Sequence, residues 1–205
     1  MNNLFPVFYL GSIAYYAELI KHETVVFEQF ENFPKQTYRN RCEIVGANGI
    51  QKLLIPVLKA GSKQLMKNVK ISETEDWQKI HWKSLEASYR ASPYFEYYED
   101  EFRSYYHKKY ASLLEFNLEL HKAIIQLLQV NSTFTLSEKY NPIDEKDYRR
   151  FFNSKKESLN TKLKENTYIQ VFTDRMPFQP NLSIVDLLFN EGPNSLEYLS
   201  RITSV

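Results

Sequence analysis

The residues able to do chemistry gather between Thr24 and Val57, where Glu28, Glu31, Lys35, Tyr38, Arg39, Asn40 and Arg41 lie between two apolar segments. Paired arginines suit phosphate or carboxylate, because a guanidinium binds either group through two parallel hydrogen bonds. In a strand Arg39 and Arg41 would share one face and Asn40 would take the other. The competing reading makes these arginines structural partners of Glu28, Glu31 or Glu43. Lys35 has two readings as well: a phosphate contact, or a base or nucleophile if burial lowers its pKa, against an ordinary surface lysine. The candidate ligand-binding set is therefore Lys35, Arg39, Asn40 and Arg41, and the candidate proton-transfer set is Glu28, Glu31 and His81. An imidazole is suited to acid–base work near neutral pH, although His81 on an apolar helix stripe also fits a packing role. Cys42 lacks the histidine or other neighbour that would make a thiolate, and in a strand it points away from both arginines. It reads as a buried small residue. His22, His107 and His121 have no partner at metal-ligand spacing, so no metal site is expected, and the residues leave any cofactor undefined.

These groups need elements to position them. Leu4 to Leu10 reads as a strand, and Ser12 can cap a helix from Ile13 to about Lys21. Thr24 to Phe30 is β-branched and aromatic, and completes a βαβ-like start with parallel neighbours. Glu43 to Val45 and Leu53 to Leu58 flank the turn signal Ala47-Asn48-Gly49, predicting a hairpin with a loop of several residues. Lys59 to Lys70 is basic and loop-like, with Val69 to Ile71 a short edge strand. Helical periodicity follows from residue 75, where Trp77, His81, Leu85 and Tyr89 form a stripe that Pro93 ends. Two further helices are expected at Tyr98 to about Lys108 and at Tyr110 to Val130. Thr133 to Ser137 and Tyr168 to Phe172 read as strands returning to the sheet, with the charged stretch 141–167 between them as an exposed, mobile loop with helical pieces. Ser183 and Asp186 have capping-box spacing, and Gly192-Pro193 is a helix stop. The expectation is one α/β domain over residues 1–205: a mixed sheet with a βαβ-like N-terminal unit, a β-hairpin and a packed helical group.

Bulk properties narrow the function classes. A chain of 205 residues can bury a real core. Five glycines exclude a long glycine-rich phosphate loop. With 26 basic and 25 acidic residues, no nucleic acid partner is expected. A single cysteine makes neither an internal disulfide nor a zinc cluster, which suits a reducing compartment. The first 23 residues have no basic n-region, and Glu18 follows the apolar run, so they read as neither signal peptide nor spanning helix. A soluble cytoplasmic protein without membrane insertion is expected, and its oligomeric state is undefined.

Three separated motifs carry a family likeness. The run Phe33-Pro34-Lys35-Gln36-Thr37-Tyr38-Arg39-Asn40-Arg41, followed by Ile44, Gly49 and Leu54 to Val57, is the first. Trp77 to His81, Tyr89-Arg90 and Ser92 to Phe95 form the second, and Asn181 to Pro193 the third. Together they resemble the WbqC-like protein family. The resemblance implies a bacterial cytoplasmic protein, with some members encoded among genes for surface polysaccharide assembly. A role in transferring an amino acid or acyl group to a sugar amine has been suggested, with no firmly assigned reaction. This chain departs from the family pattern at two places. A His-Gln-Pro strand common in the family is here Phe5-Pro6-Val7, without histidine, and an acidic pair after the second strand is replaced by Gln29-Phe30. Two hypotheses follow: a group transferase of cell-envelope glycan assembly binding an anionic sugar or acyl/aminoacyl donor, or a non-catalytic protein binding a metabolite or partner on the same scaffold.

Overall fold

The computed structural model describes residues 3–58, 63–142, 147–152 and 163–203. Parts of the charged stretch expected to be mobile, 143–146 and 153–162, lie outside the described residues, as do 59–62 of the basic loop. Three short strands, β1 (Asn3–Phe5), β2 (Thr24–Phe27) and β5 (Thr133–Leu136), pair in parallel in the order β1-β2-β5. Helix α1 (Ile13–Leu19) connects β1 to β2, giving the expected βαβ-like start. The Ser12 hydroxyl accepts from the Tyr15 amide at its N-terminus. β1 is shorter than the apolar run around it. Pro6 supplies no N–H for a ladder, and Val7 to Leu10 are buried as irregular chain, with Leu10 at φ 42°.

The hairpin is β3 (Arg41–Gly46) and β4 (Gly49–Leu54), and it forms a two-stranded sheet of its own. Its loop is two residues, Ala47 and Asn48, because Gly46 pairs with Gly49, whose φ of 112° disfavours any side chain. The alternate residues Cys42 and Ile44 face the core. The α/β content, the parallel start, the hairpin and the helical group are all present, with the strands shared between two sheets.

The helices are α2 (Trp77–Tyr89), α3 (Phe95–His107), α4 (Leu113–Leu127), α5 (Ile184–Glu191) and α6 (Ser195–Thr203). α2 packs on α3 and β3, and Leu113, Phe116, Leu120 and Ile124 of α4 are fully buried. Among the described residues no helix is long and apolar enough to cross a membrane.

Two local expectations fail for one reason. Tyr168 to Phe172 is irregular chain, not a strand. Asp186 is not an N-terminal cap: Ser183 makes no side-chain capping bond, and its hydroxyl donates to the Leu10 carbonyl at 2.8 Å. Asp186 is buried and accepts instead from the Tyr168 hydroxyl and from Gln170 Nε2. The strand-like composition of 168–172 is thus satisfied by tertiary partners.

Candidate functional site

The segment between β2 and β3 is built by hydrogen bonds to the rest of the chain. Met66 N donates to the Glu31 carbonyl at 2.9 Å, and Phe33 N donates to the Gln64 carbonyl at 2.8 Å. The chain then turns through Gln36 at φ 57°, a conformation a non-glycine residue adopts only when its surroundings fix it. Three outside groups hold the turn that follows. Tyr9 N donates to the Tyr38 carbonyl at 2.9 Å, Asn117 Nδ2 donates to the Arg39 carbonyl at 2.7 Å, and Asn40 exchanges two hydrogen bonds with Ile55. This scaffold sets the directions of Tyr38, Arg39 and Arg41.

These side chains form one wall of a cleft of about 420 Å³, and Tyr140, Arg149, Arg150 and Phe152 form the other. That volume lies within the roughly 300–1,000 Å³ usual for small-molecule sites. Glu31 and Tyr140 each follow the C-terminal end of a parallel strand by four residues, β2 ending at Phe27 and β5 at Leu136. The cleft therefore lies at the edge of the sheet where open α/β folds place their ligands. Two of the lining rings share a buried neighbour, Phe8. The Phe8 ring lies 5.7 Å from Tyr38 and 6.2 Å from Phe152, centroid to centroid.

Four arginines line the cleft, and two are already engaged. Arg39 grips Glu31 in a bidentate pair, with Nε to Oε1 at 2.6 Å and Nη2 to Oε2 at 2.7 Å, both side chains being buried. Arg149 is 6% exposed and donates through Nε to both Asp147 oxygens at 2.9 Å and through Nη2 to the Asn141 carbonyl at 2.8 Å. Arg41 is different. Its Nε is buried without a hydrogen-bond partner among the described residues. Arg150 is exposed and is likewise unpaired among the described residues. Tyr38 supplies a neutral donor, since burial, then the Glu43 charge, pushes its phenol up to about 12.

A sequence profile of the WbqC-like protein family matches residues 7–172, which takes in both walls of the cleft. The chain belongs to the WbqC-like protein family. It is also similar to the uncharacterized protein Rv1507c of Mycobacterium tuberculosis (strain ATCC 25618 / H37Rv), with 26% identity over 204 residues covering 86% of this chain and 87% of that protein. No solved structure matches the chain. In this WbqC-like chain the motif at Asn181 to Pro193 lies beyond the matched residues, but it joins the same scaffold: Ser183 N donates to the Glu43 carbonyl at 2.8 Å.

The WbqC-like fold brings together only part of the sequence-predicted set. Glu31, Arg39 and Arg41 line the cleft. Arg39 and Asn40 lie in the turn, and only Arg41 is in β3, so the shared strand face predicted for the two arginines does not form. Lys35 is exposed and is not among the described lining residues. Asn40 is turned to Ile55 as a clasp. Glu28 is fully buried, accepting from Phe30 N, Ser137 Oγ and Asn141 N. His81 lies apart in the core, with Nδ1 at 2.8 Å from the Tyr9 hydroxyl. Burial pulls its pKa down to about 4, so the ring is neutral at physiological pH. Cys42 is buried, and burial holds its thiol well above the usual range. Among the described residues no cluster of His, Cys, Asp or Glu is placed to hold a metal ion.

Sequence reasoning missed Tyr140, Arg149, Arg150 and Phe152. The run Arg149-Arg150-Phe151-Phe152 was the available signal, a basic-aromatic patch in an otherwise polar stretch.

Proposed function

We propose that this WbqC-like protein binds an anionic small molecule in the cleft, held between Arg41 on β3 and Arg150 on the opposite wall. The observation that carries this is the uncommitted guanidinium of Arg41. An unpaired buried donor costs about 1–3 kcal/mol, and a phosphate or carboxylate would satisfy it with a charge-assisted bond. Tyr140 and Phe152 offer ring faces for the non-ionic part of the ligand. The finer reading is a group transferase of surface-polysaccharide assembly acting on an anionic sugar or an acyl/aminoacyl donor. The family's suggested chemistry supports it, as does a cleft at the strand ends. Glu31 is then the carboxylate within reach of the ligand, working from its pair with Arg39.

One observation favours the second reading, a non-catalytic binding protein. Glu31 is the sole carboxylate among the described lining residues, and both its oxygens are occupied by Arg39. The test is a thermal-shift and turnover screen with sugar nucleotides, sugar phosphates and acyl donors, repeated on Arg41→Ala. A cognate ligand should bind Arg41→Ala about 10- to 100-fold more weakly, the worth of one charged hydrogen bond. Unaltered affinity in a folded Arg41→Ala protein would remove the reading. Turnover that falls with Glu31→Gln selects the transferase, and binding without turnover selects the second reading.

A further inference from the structure

The cleft wall that carries Arg150 is a short segment, 147–152, docked on β1. Asp147 and Leu4 form a parallel bridge, and Tyr148 N donates to the Leu4 carbonyl at 2.8 Å. The Tyr148 ring stacks on Phe5 with centroids 4.2 Å apart. A buried ionic network fastens this segment from below. Glu28 Oε2 accepts from Asn141 N at 2.9 Å and lies 3.7 Å from Arg149 Nη1. Arg149 in turn holds Asp147 and the Asn141 carbonyl. Arg39 Nη2 also reaches the Arg149 carbonyl at 3.3 Å, so the Glu31–Arg39 pair of the first wall touches the backbone of the second. Every described oxygen contact of Glu28 is thus spent on structure, and none faces the cleft.

We propose that Glu28 is a positioning residue: with Asp147 it clamps Arg149, and the clamp holds residues 147–152 so that Arg150 and Phe152 form the anion-facing wall. The clamp stands on the geometry alone, and its link to ligand rests on the anion-binding reading of the cleft. If an anion bridges Arg41 and Arg150, docking of the segment and anion binding are linked, and each must strengthen the other by the same factor. Arg149 is buried between two carboxylates, hydrogen-bonded to Asp147 and 3.7 Å from Glu28. Taking away one of these counter-charges weakens a buried ionic network, so removing the Glu28 charge should loosen the docked segment well before it unfolds the sheet.

Hydrogen exchange at the Tyr148 amide reads the docking without any ligand. Glu28→Gln should accelerate that exchange by about tenfold or more, while amides of α4 stay protected. Asp147→Asn attacks the clamp from the other side and should do the same, which covers the case where Glu28→Gln fails to fold. Inorganic pyrophosphate, titrated calorimetrically, reads the cleft. Its affinity should fall about tenfold in Glu28→Gln and in Arg150→Ala, and the double variant should be no weaker than Arg150→Ala, as expected for residues acting through one another. Saturating pyrophosphate should slow Tyr148 exchange in the unaltered protein. Unchanged exchange in both clamp variants overturns the proposal, and additive losses in the double variant overturn the link to Arg150. Faster exchange in a protein that binds no pyrophosphate keeps the clamp and overturns the anion reading instead.

Discussion

Whether an arginine at this cleft is a strut or a ligand contact depends on which groups its donors already serve. Arg39 and Glu31 form a buried bidentate pair, so truncating Arg39 strands a carboxylate away from water. Breaking such a pair costs about 3–5 kcal/mol. Arg41 has no such partner among the described residues, and its loss removes an unsatisfied donor. The two arginines, two positions apart, should therefore respond oppositely. In urea denaturation Arg39→Ala should lose several kcal/mol, whereas Arg41→Ala should stay within about 1 kcal/mol of the unaltered protein while losing ligand. Equal destabilisation by both would mean that Arg41 is a strut too. Cys42 offers a second check at this scale. Its thiol is buried and raised in pKa by that burial, so a thiol-specific chromogenic reagent should leave it unmodified until the protein is unfolded. Rapid modification of the native protein would reinstate the thiol as a candidate nucleophile.

At the scale of elements, the termination of α5 shows how tightly the late motif is fitted. Gly192 sits at φ 53°, and a Cβ there would lie 2.4 Å from Cδ1 of Tyr94. Tyr94 cannot simply move away, because its amide donates to the Phe189 carbonyl at 3.0 Å. Gly49 in the hairpin also has positive φ, 112°, but nothing stands within 4 Å of its missing Cβ. Gly192→Ala should thus cost more than Gly49→Ala, by about 1–3 kcal/mol for overpacking on top of backbone strain; urea midpoints that rank the two variants the other way would contradict this. The same contrast explains what was legible in the sequence. The βαβ-like start, the hairpin and the helices were readable because periods of 2 and 3.6 are local properties. The turn over 33–41 was readable as a candidate site because its charged residues are dense. The opposite wall was not. Arg149 is held by Asn141, Asp147 and Glu28, and Glu28 is supplied by another strand's end more than a hundred residues earlier. Local pattern cannot encode such a network, so a polar stretch looked merely exposed. The stretch 168–172 misled in the other direction, since Tyr168 and Gln170 are there to serve Asp186 rather than a sheet.

At the scale of the whole molecule, three buried titratable groups set an acid response that the scaffold must survive. Burial pulls His81 down to about 4 and His121 to about 3. As pH falls below the ordinary histidine range, the unfolded chain takes up both protons while the folded protein takes up neither, so stability is lost. Asp186 acts oppositely. Burial pushes it up to about 6 from an ordinary 3.8, against the hydrogen bonds from Tyr168 and Gln170, so between those values the folded protein holds a proton that the unfolded chain lacks. Its contribution therefore grows as pH falls through 6 and declines as pH rises. Between about pH 5.5 and 4.5 these groups together give the unfolded chain a net excess of one proton. That corresponds to a loss of about 1.4 kcal/mol per pH unit. Asp186→Asn removes the opposing group and should steepen the loss of stability with falling pH, and His121→Phe should make it shallower. Urea denaturation at three pH values in this window, read as slopes relative to the unaltered protein, tests both signs at once, and an Asp186→Asn slope no steeper than the original would refute the assignment. A short path of hydrogen bonds joins His81 to the cleft. His81 is held by the Tyr9 hydroxyl, and the Tyr9 amide holds the Tyr38 carbonyl of the turn that bears Arg39 and Arg41. Under the anion-binding reading proposed above, a neutral His81 helps to hold the turn that carries Arg41, which is a structural contribution made through Tyr9.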